Sequence, residues 1–143
     1  MNDLEIAKDL LYQKQLTLII IKKGRTLFET QSHRISGFLN AIQQFGKTLK
    51  GAAIADKVVG KAVALLCVYA GIKAVYAETL SRKAEDLFEQ HRIEHEWKNL
   101  IDNILNDTKT DVCPFEKEAA TITVPKEAYD RFRILQQNLK ACR

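Results

Sequence analysis

Five of the six residues in the run Leu16-Thr17-Leu18-Ile19-Ile20-Ile21 are apolar, and none of the charged types interrupts it. A strand with one face in water alternates apolar and polar residues, because successive side chains point to opposite faces. This run does not alternate, and its β-branched isoleucines favour an extended backbone. It therefore reads as a strand buried on both faces, which needs cover above and below the sheet. Lys23-Gly24 follows as a tight turn. Arg25–Thr30 then returns as a second strand, so residues 16–30 form a hairpin.

The rest of the chain reads as strands alternating with helices. Asn2 or Asp3 caps a first helix that places Leu4, Ala7 and Leu11 on one side. Residues 34–45 form a helix with Ile35, Phe38, Leu39 and Ile42 inward, stopped at Gly46. Ala52–Ala55 is a short strand of small residues. Asp56 then starts a helix from about Lys57 to Ala70, apolar on nearly every side and so central. Gly71 ends it. Ile72–Ala77 is a further buried strand, and Ser81 caps a helix over 82–90. Ile93, His95 and Trp97 alternate with Glu94 and Glu96, the pattern of a half-exposed edge strand. Residues 98–105 continue as helix, Pro114 opens a short helix, and a last amphipathic helix spans Pro125 to Lys140. Right-handed crossovers make the later strands parallel. The expectation is an α/β helix–sheet–helix sandwich on a mixed five-stranded sheet, with residues 1–143 as one domain. No linker or repeat divides the chain. At this length about two-thirds of the unfolded surface is buried on folding, so a core forms without disulfides or metal.

Composition removes several function classes. Cys67, Cys113 and Cys142 are odd in number and far apart, which indicates no disulfide framework and fits a reduced, cytoplasmic setting. Met1–Lys14 is charged and amphipathic, unlike a secretory leader. The apolar run Ala62–Ile72 is too short for a membrane span. The net charge of +4 comes from 22 basic and 18 acidic residues that are interspersed. Nucleic-acid binders concentrate their positive charge, so nucleic acid is not the expected partner.

Three motif-like stretches lack the residues their chemistry needs. His91-Arg92-Ile93-Glu94-His95 spells an inverted zinc-peptidase motif, but it straddles a helix end and a strand, so the two rings diverge. Asp107, Lys109, Asp111 and Glu118 match calcium-loop spacing. Lys109 puts a cation where an oxygen ligand belongs, and Val112 stands where the turn requires glycine. Gly60-Lys61 looks like the end of a phosphate loop, but Ala55 and Ala62 replace the required glycine and hydroxyl residue. Gly60 is then expected inside a helix, packed closely on the sheet. No metal and no cofactor are expected.

Two stretches keep a functional case. Asp56-Lys57 falls where a strand end meets a helix start, the crevice in which open α/β sheets bind ligands. The helix end offers free N–H groups to an anion, and Lys57 adds a cation that desolvation can make nucleophilic. The bland alternative is an Asp cap beside a solvated lysine. In Cys113-Pro114-Phe115-Glu116, a cysteine before a helix start is a candidate thiolate, and Glu116 a candidate acid or base. The bland alternative is an inert buried thiol at an ordinary helix start.

The stretch Lys50-Gly51-Ala52-Ala53-Ile54-Ala55-Asp56-Lys57-Val58-Val59-Gly60-Lys61-Ala62 resembles the signature of a prokaryotic family, Domain of Unknown Function 1893. The hairpin Leu16–Glu29, Val75-Tyr76-Ala77, and Cys113-Pro114 with Glu116 match it too, so the resemblance spans about residues 10–120. It implies a cytidine deaminase-like fold, a three-layer α/β/α sandwich with sheet order 2-1-3-4-5. The deaminase chemistry does not follow. Zinc deaminases use a His or Cys two residues before a Glu, and a later PCxxC. Asp56-Lys57 stands about where the first belongs, and Glu78–Lys83 holds neither cysteine nor histidine.

The leading expectation is a zinc-less deaminase-like protein that binds a nucleotide-like or phosphorylated small molecule. Asp56, Lys57 and Ser81 line the pocket, and Cys113 with Glu116 closes it. Two alternatives stay open. One is an enzyme using Lys57 or Cys113 as nucleophile, with Glu116 assisting. The other is a non-catalytic interaction module that meets a partner through the strand 92–97 or the basic final helix (Lys126, Arg131, Arg133, Lys140, Arg143). Homo-oligomer formation is compatible with each.

Overall fold

The computed structural model describes residues 1–32, 35–105 and 110–141. The order of elements is α1 (Asp3–Gln13), β1 (Leu18–Lys22), β2 (Arg25–Thr30), α2 (Ser36–Phe45), β3 (Ala53–Val59), α3 (Lys61–Ala70), β4 (Ala74–Ser81), α4 (Arg82–Gln90), β5 (Glu94–Ile101), α5 (Pro114–Ala119) and α6 (Pro125–Ala141). The five strands form one sheet in the order β2-β1-β3-β4-β5. β1 runs antiparallel to both its neighbours, while β3, β4 and β5 are parallel. The mixed sheet and its order are those that the resemblance implied.

Leu18, Ile19, Ile20 and Ile21 are all buried, as an uninterrupted apolar strand requires. α1 covers one face, where Leu4, Ala7 and Leu11 meet Ile19, Ile21, Ala53, Ala55 and Tyr76. The larger core lies on the other face and joins Ile20, Ile54 and Val75 to Phe38, Leu65, Leu66, Phe88, Phe115 and Phe132. Local signals fall where the sequence puts them. Asn2 caps α1 by accepting from the Glu5 amide at 2.9 Å. Lys23 and Gly24 have φ of 52° and 76°, the paired left-handed geometry of a tight hairpin turn. Their two amides donate to the Asp3 carboxylate at 2.9 and 2.8 Å, which fastens the hairpin to the start of α1.

Three strands run past the bounds read from sequence, for one physical reason, and β4 reaches Ser81 where the reading ended it at Ala77. The helix expected from Lys57 starts only at Lys61, and β3 runs on through Asp56, Lys57, Val58 and Val59. The helix expected over 98–105 is strand up to Ile101. β3 pairs with β4 as far as Val59↔Leu80, and β4 pairs with β5 as far as Ser81↔Ile101. Each strand supplies hydrogen-bond partners to the next, so the ladder lengthens as a unit and overrides local propensity. The tail beyond β5 folds back, with Leu105 bridging Val112. Of the calcium-like spacing, Asp107 and Lys109 lie outside the described residues, and Asp111 is bonded to Lys117. No helix among the described residues is long and apolar enough to cross a membrane.

α6 is held down by Phe132, fully buried and edge-on to Phe115 at 5.9 Å between ring centres. Phe132→Ala is expected to lower the unfolding free energy by about 3–5 kcal/mol, through lost burial and a residual cavity. Denaturant titration, with hydrogen exchange across residues 125–141, measures it.

Candidate functional site

β3 and β4 end side by side, and each hands the chain to a helix, α3 at Lys61 and α4 at Arg82. The first amides of a helix have no partner inside it and must find one elsewhere. At α4 the partner is Ser81, whose buried hydroxyl accepts from the Ala84 amide at 3.1 Å. At α3 it is the carboxylate of Glu116, from the distant helix α5. One carboxylate oxygen takes the Lys61 amide at 2.9 Å and the other the Ala62 amide at 2.7 Å.

Gly60 makes that reach possible. A Cβ there would lie 2.2 Å from Glu116 Oε1 and 2.7 Å from Ile104 Cγ1, so no larger residue fits without displacing the carboxylate. Gly60 is the residue before α3, not within it, and the space it frees is filled by Glu116 rather than by the sheet. This corrects the sequence reading.

Beside Glu116 lies a cavity of about 230 Å³, lined in part by Lys61, Lys83, Asn103, Ile104, Glu116 and Lys117. The Lys117 ammonium is bonded to Asp111. Lys61 and Lys83 enter no ion pair among the described residues, and both bear electrostatically on Glu116. Burial pushes the Glu116 carboxyl up from the usual carboxylate range. The Ala62 and Lys61 amides and the Lys83 and Lys61 charges oppose that rise. The cavity therefore combines two unengaged cations with two carboxylates, Asp102, which pairs with Arg82, and Glu116, which gives up its proton less readily than a surface one.

Asp56 and Lys57 lie elsewhere. They sit in β3, ahead of the strand–helix junction, and neither lines the cavity. The reading of Asp56 as a helix cap is therefore corrected. Its carboxylate accepts from the Val58 amide at 3.3 Å, within the strand. Burial pushes its carboxyl up to about 7. It acts on the buried Cys67 thiol of α3, which burial and the Asp56 charge together raise well above its usual range. Lys57 is half-buried, and its amide donates to the Thr17 carbonyl at 3.0 Å.

Cys113 is half-buried at the start of α5 and packs against the main core. Its amide donates to the Ile104 carbonyl at 2.9 Å, and its carbonyl accepts from the Glu116 and Lys117 amides. It thus sets the angle at which Glu116 enters. Its thiol does not line the cavity. Of the five residues singled out from sequence, the structure brings Glu116 to the cavity wall and Ser81 to the adjoining helix cap. Of the two lysines at the cavity, Lys83 was not singled out from sequence, and Lys61 only as part of the Gly60-Lys61 pair beside the expected crevice. The available signals were the Gly60-Lys61 pair and the position of Lys83 just after the Ser81 cap.

The remaining candidates separate in the same way. His91 ends α4 and His95 stands in β5, so they share no helix face. In α6, Arg131 pairs with Glu118 and Glu127, and Arg133 bonds Gln43, so part of its basic face is already used within the chain. Cys142 and Arg143 lie outside the described residues.

Residues 6–137 match the model of a domain of unknown function, DUF1893. The crystal structure of a DUF1893 family protein from Thermotoga maritima superimposes with a TM-score of 0.82 at 24% identity, covering 96% of this chain and 90% of that one. A dCMP deaminase from the cyanophage S-TIM5 gives 0.49 at 16% identity, covering 66% of this chain and 93% of its own. No curated protein matches the chain. The match to the Thermotoga maritima structure bears on fold and leaves site chemistry to the residues themselves.

Asp56 yields a pH prediction. Its carboxyl is at about 7 in the native state against an ordinary 3.8, so the folded protein keeps a proton that the unfolded chain releases. The stabilisation is complete below the ordinary value and is lost as pH rises through 7. Across that window wild type is expected to lose up to about 1.4 kcal/mol per pH unit. Asp56→Asn should flatten the decline, as read by denaturation midpoints from pH 4 to 8.

Proposed function

We propose that this chain, which belongs to the DUF1893 family, binds a small phosphorylated, nucleotide-like molecule. The proposed place is the cavity at the carboxyl ends of β3 and β4. The observation that carries the reading is the arrangement around Glu116. A carboxylate already occupies the α3 amides, and the unengaged ammonium groups of Lys61 and Lys83 flank the adjoining space. The α3 amides are taken by Glu116, so the two lysines, residues of a kind that holds phosphate in proteins, are the groups left for an anion. Crevices beyond the carboxyl ends of parallel strands are where α/β sheets take ligands.

The volume supports a small molecule. A cavity of about 230 Å³ lies below the roughly 300–1,000 Å³ of sites that enclose drug-sized ligands. It suits a phosphate with a sugar-sized remainder better than an extended cofactor. In this reading Lys61 and Lys83 bind the anionic end, and Asn103 offers an amide to polar groups on the remainder. Glu116 holds the pocket open by tying α5 to α3. An arriving anion repels the Glu116 charge and draws a proton onto it, so binding and proton uptake are coupled.

Calorimetric titration of the dialysed protein with inorganic phosphate, ribose 5-phosphate and nucleoside monophosphates tests this. Lys83→Ala is expected to weaken binding about tenfold or more, since a charge-assisted hydrogen bond contributes about 1.5–3 kcal/mol. Glu116→Gln should weaken binding too, because its NH2 group would face one of the α3 amides and loosen the tie that holds the pocket open. Absence of saturable binding to every phosphate compound, or binding indifferent to Lys61 and Lys83 substitutions, overturns the reading.

A further inference from the structure

A second group of side chains lies apart from this crevice, between α4 and the edge strand β5. Glu85 and Glu89 are four residues apart on α4 and so project from the same side of that helix. His95 is the second residue of β5, and its ring faces α4, with its centre 5.7 Å from that of Phe88. One ligand atom from each of Glu85, Glu89 and His95 lies within 4.8 Å of the others. We propose that these three side chains form a binding site for a divalent transition-metal ion.

The orientation of His95 supports this independently of the acidic pair. Its Nδ1 is 2.7 Å from the Ile93 carbonyl oxygen. A carbonyl only accepts, so Nδ1 carries the ring proton and Nε2 keeps a free lone pair. A backbone carbonyl on one imidazole nitrogen is the usual partner of a histidine that ligates metal through the other. The ring is also held in place, between Phe88 and Trp97, with its centre 5.9 Å from that of Trp97 at an interplanar angle of 16°. This spares a bound ion the cost of ordering its nitrogen ligand.

The two carboxylates supply the charge. Neither the Glu85 nor the Glu89 carboxylate has an ion-pair partner among the described residues, and like charges four apart on a helix oppose each other. A dication removes that opposition. One imidazole nitrogen with two carboxylates favours zinc, cobalt or nickel over magnesium or calcium, which prefer all-oxygen sites. Three protein donors leave coordination positions for water. His91, the other histidine of the sequence motif, ends α4 and is not a member of the group. The pairing of elements, not the spacing along the chain, defines the ligand set.

The test is a Co²⁺ titration of chelator-treated full-length protein, followed by visible absorbance and calorimetry. It is run in a Cys113→Ala, Cys142→Ala background, which leaves only the buried Cys67 thiol. One ion per chain is expected, with no competition from Mg²⁺. His95→Phe preserves the ring stack and removes the nitrogen, and Glu89→Gln alters an exposed side chain. Each should weaken binding about tenfold or more, since loss even of outer partners costs about 10–100-fold. The metal-free melting temperatures of the two variants provide the folding control. No binding, equal binding of Mg²⁺, or unchanged affinity in Glu89→Gln or His95→Phe overturns the proposal.

Discussion

The hydrogen bonds from the Lys61 and Ala62 amides to Glu116 hold the carboxyl-terminal edge of the sheet to the tail of the chain. They join two parts of the chain that no strand ladder connects. Without them, α3 would begin with unpaired donors in a part-buried place, and a buried donor left unpaired costs about 1–3 kcal/mol. Everything beside them follows from that need. Gly60 has no side chain so that the carboxylate can arrive. Cys113 orients the first turn of α5, and the tail after β5 folds back to bring α5 within reach. The cavity is the space left between that tail and the two helix starts.

Much of the fold was legible because its signals are short-range. The hairpin turn at Lys23-Gly24, the caps Asn2 and Ser81, and the stops at Gly46 and Gly71 depend on neighbours a few residues away. Sheet layering followed from the unbroken run in β1. The start of α3 was not legible in the same way. Asp56 followed by an apolar run satisfies the rules for a capped helix and also those for an inner strand. The choice was made by pairing with Ala77, Thr79 and Leu80 of β4, which lie on the next strand and leave no mark near Asp56.

The candidate site divides along the same line. Glu116 was visible as the third residue after Cys113 at a helix start, where an acidic residue caps its own helix. Instead it caps another one. Lys83 could be recognised only once β4 and α4 had brought it to the edge of the same cavity as Lys61. The sheet order was reached through resemblance to a family, which does not say which side chains meet beside Glu116. Here sequence informs about layers more surely than about chemistry, since layers depend on periodicity and a site depends on which loops meet.

Gly60 and Glu116 also make one inherited character out of two distant positions. A side chain at 60 leaves no room for the carboxylate, and a different residue at 116 removes what kept 60 bare. Neither position is therefore free to drift alone. Among descendants of this chain the two should be kept or exchanged together. A relative that carries a larger residue at the first will have found another partner for the start of its third helix.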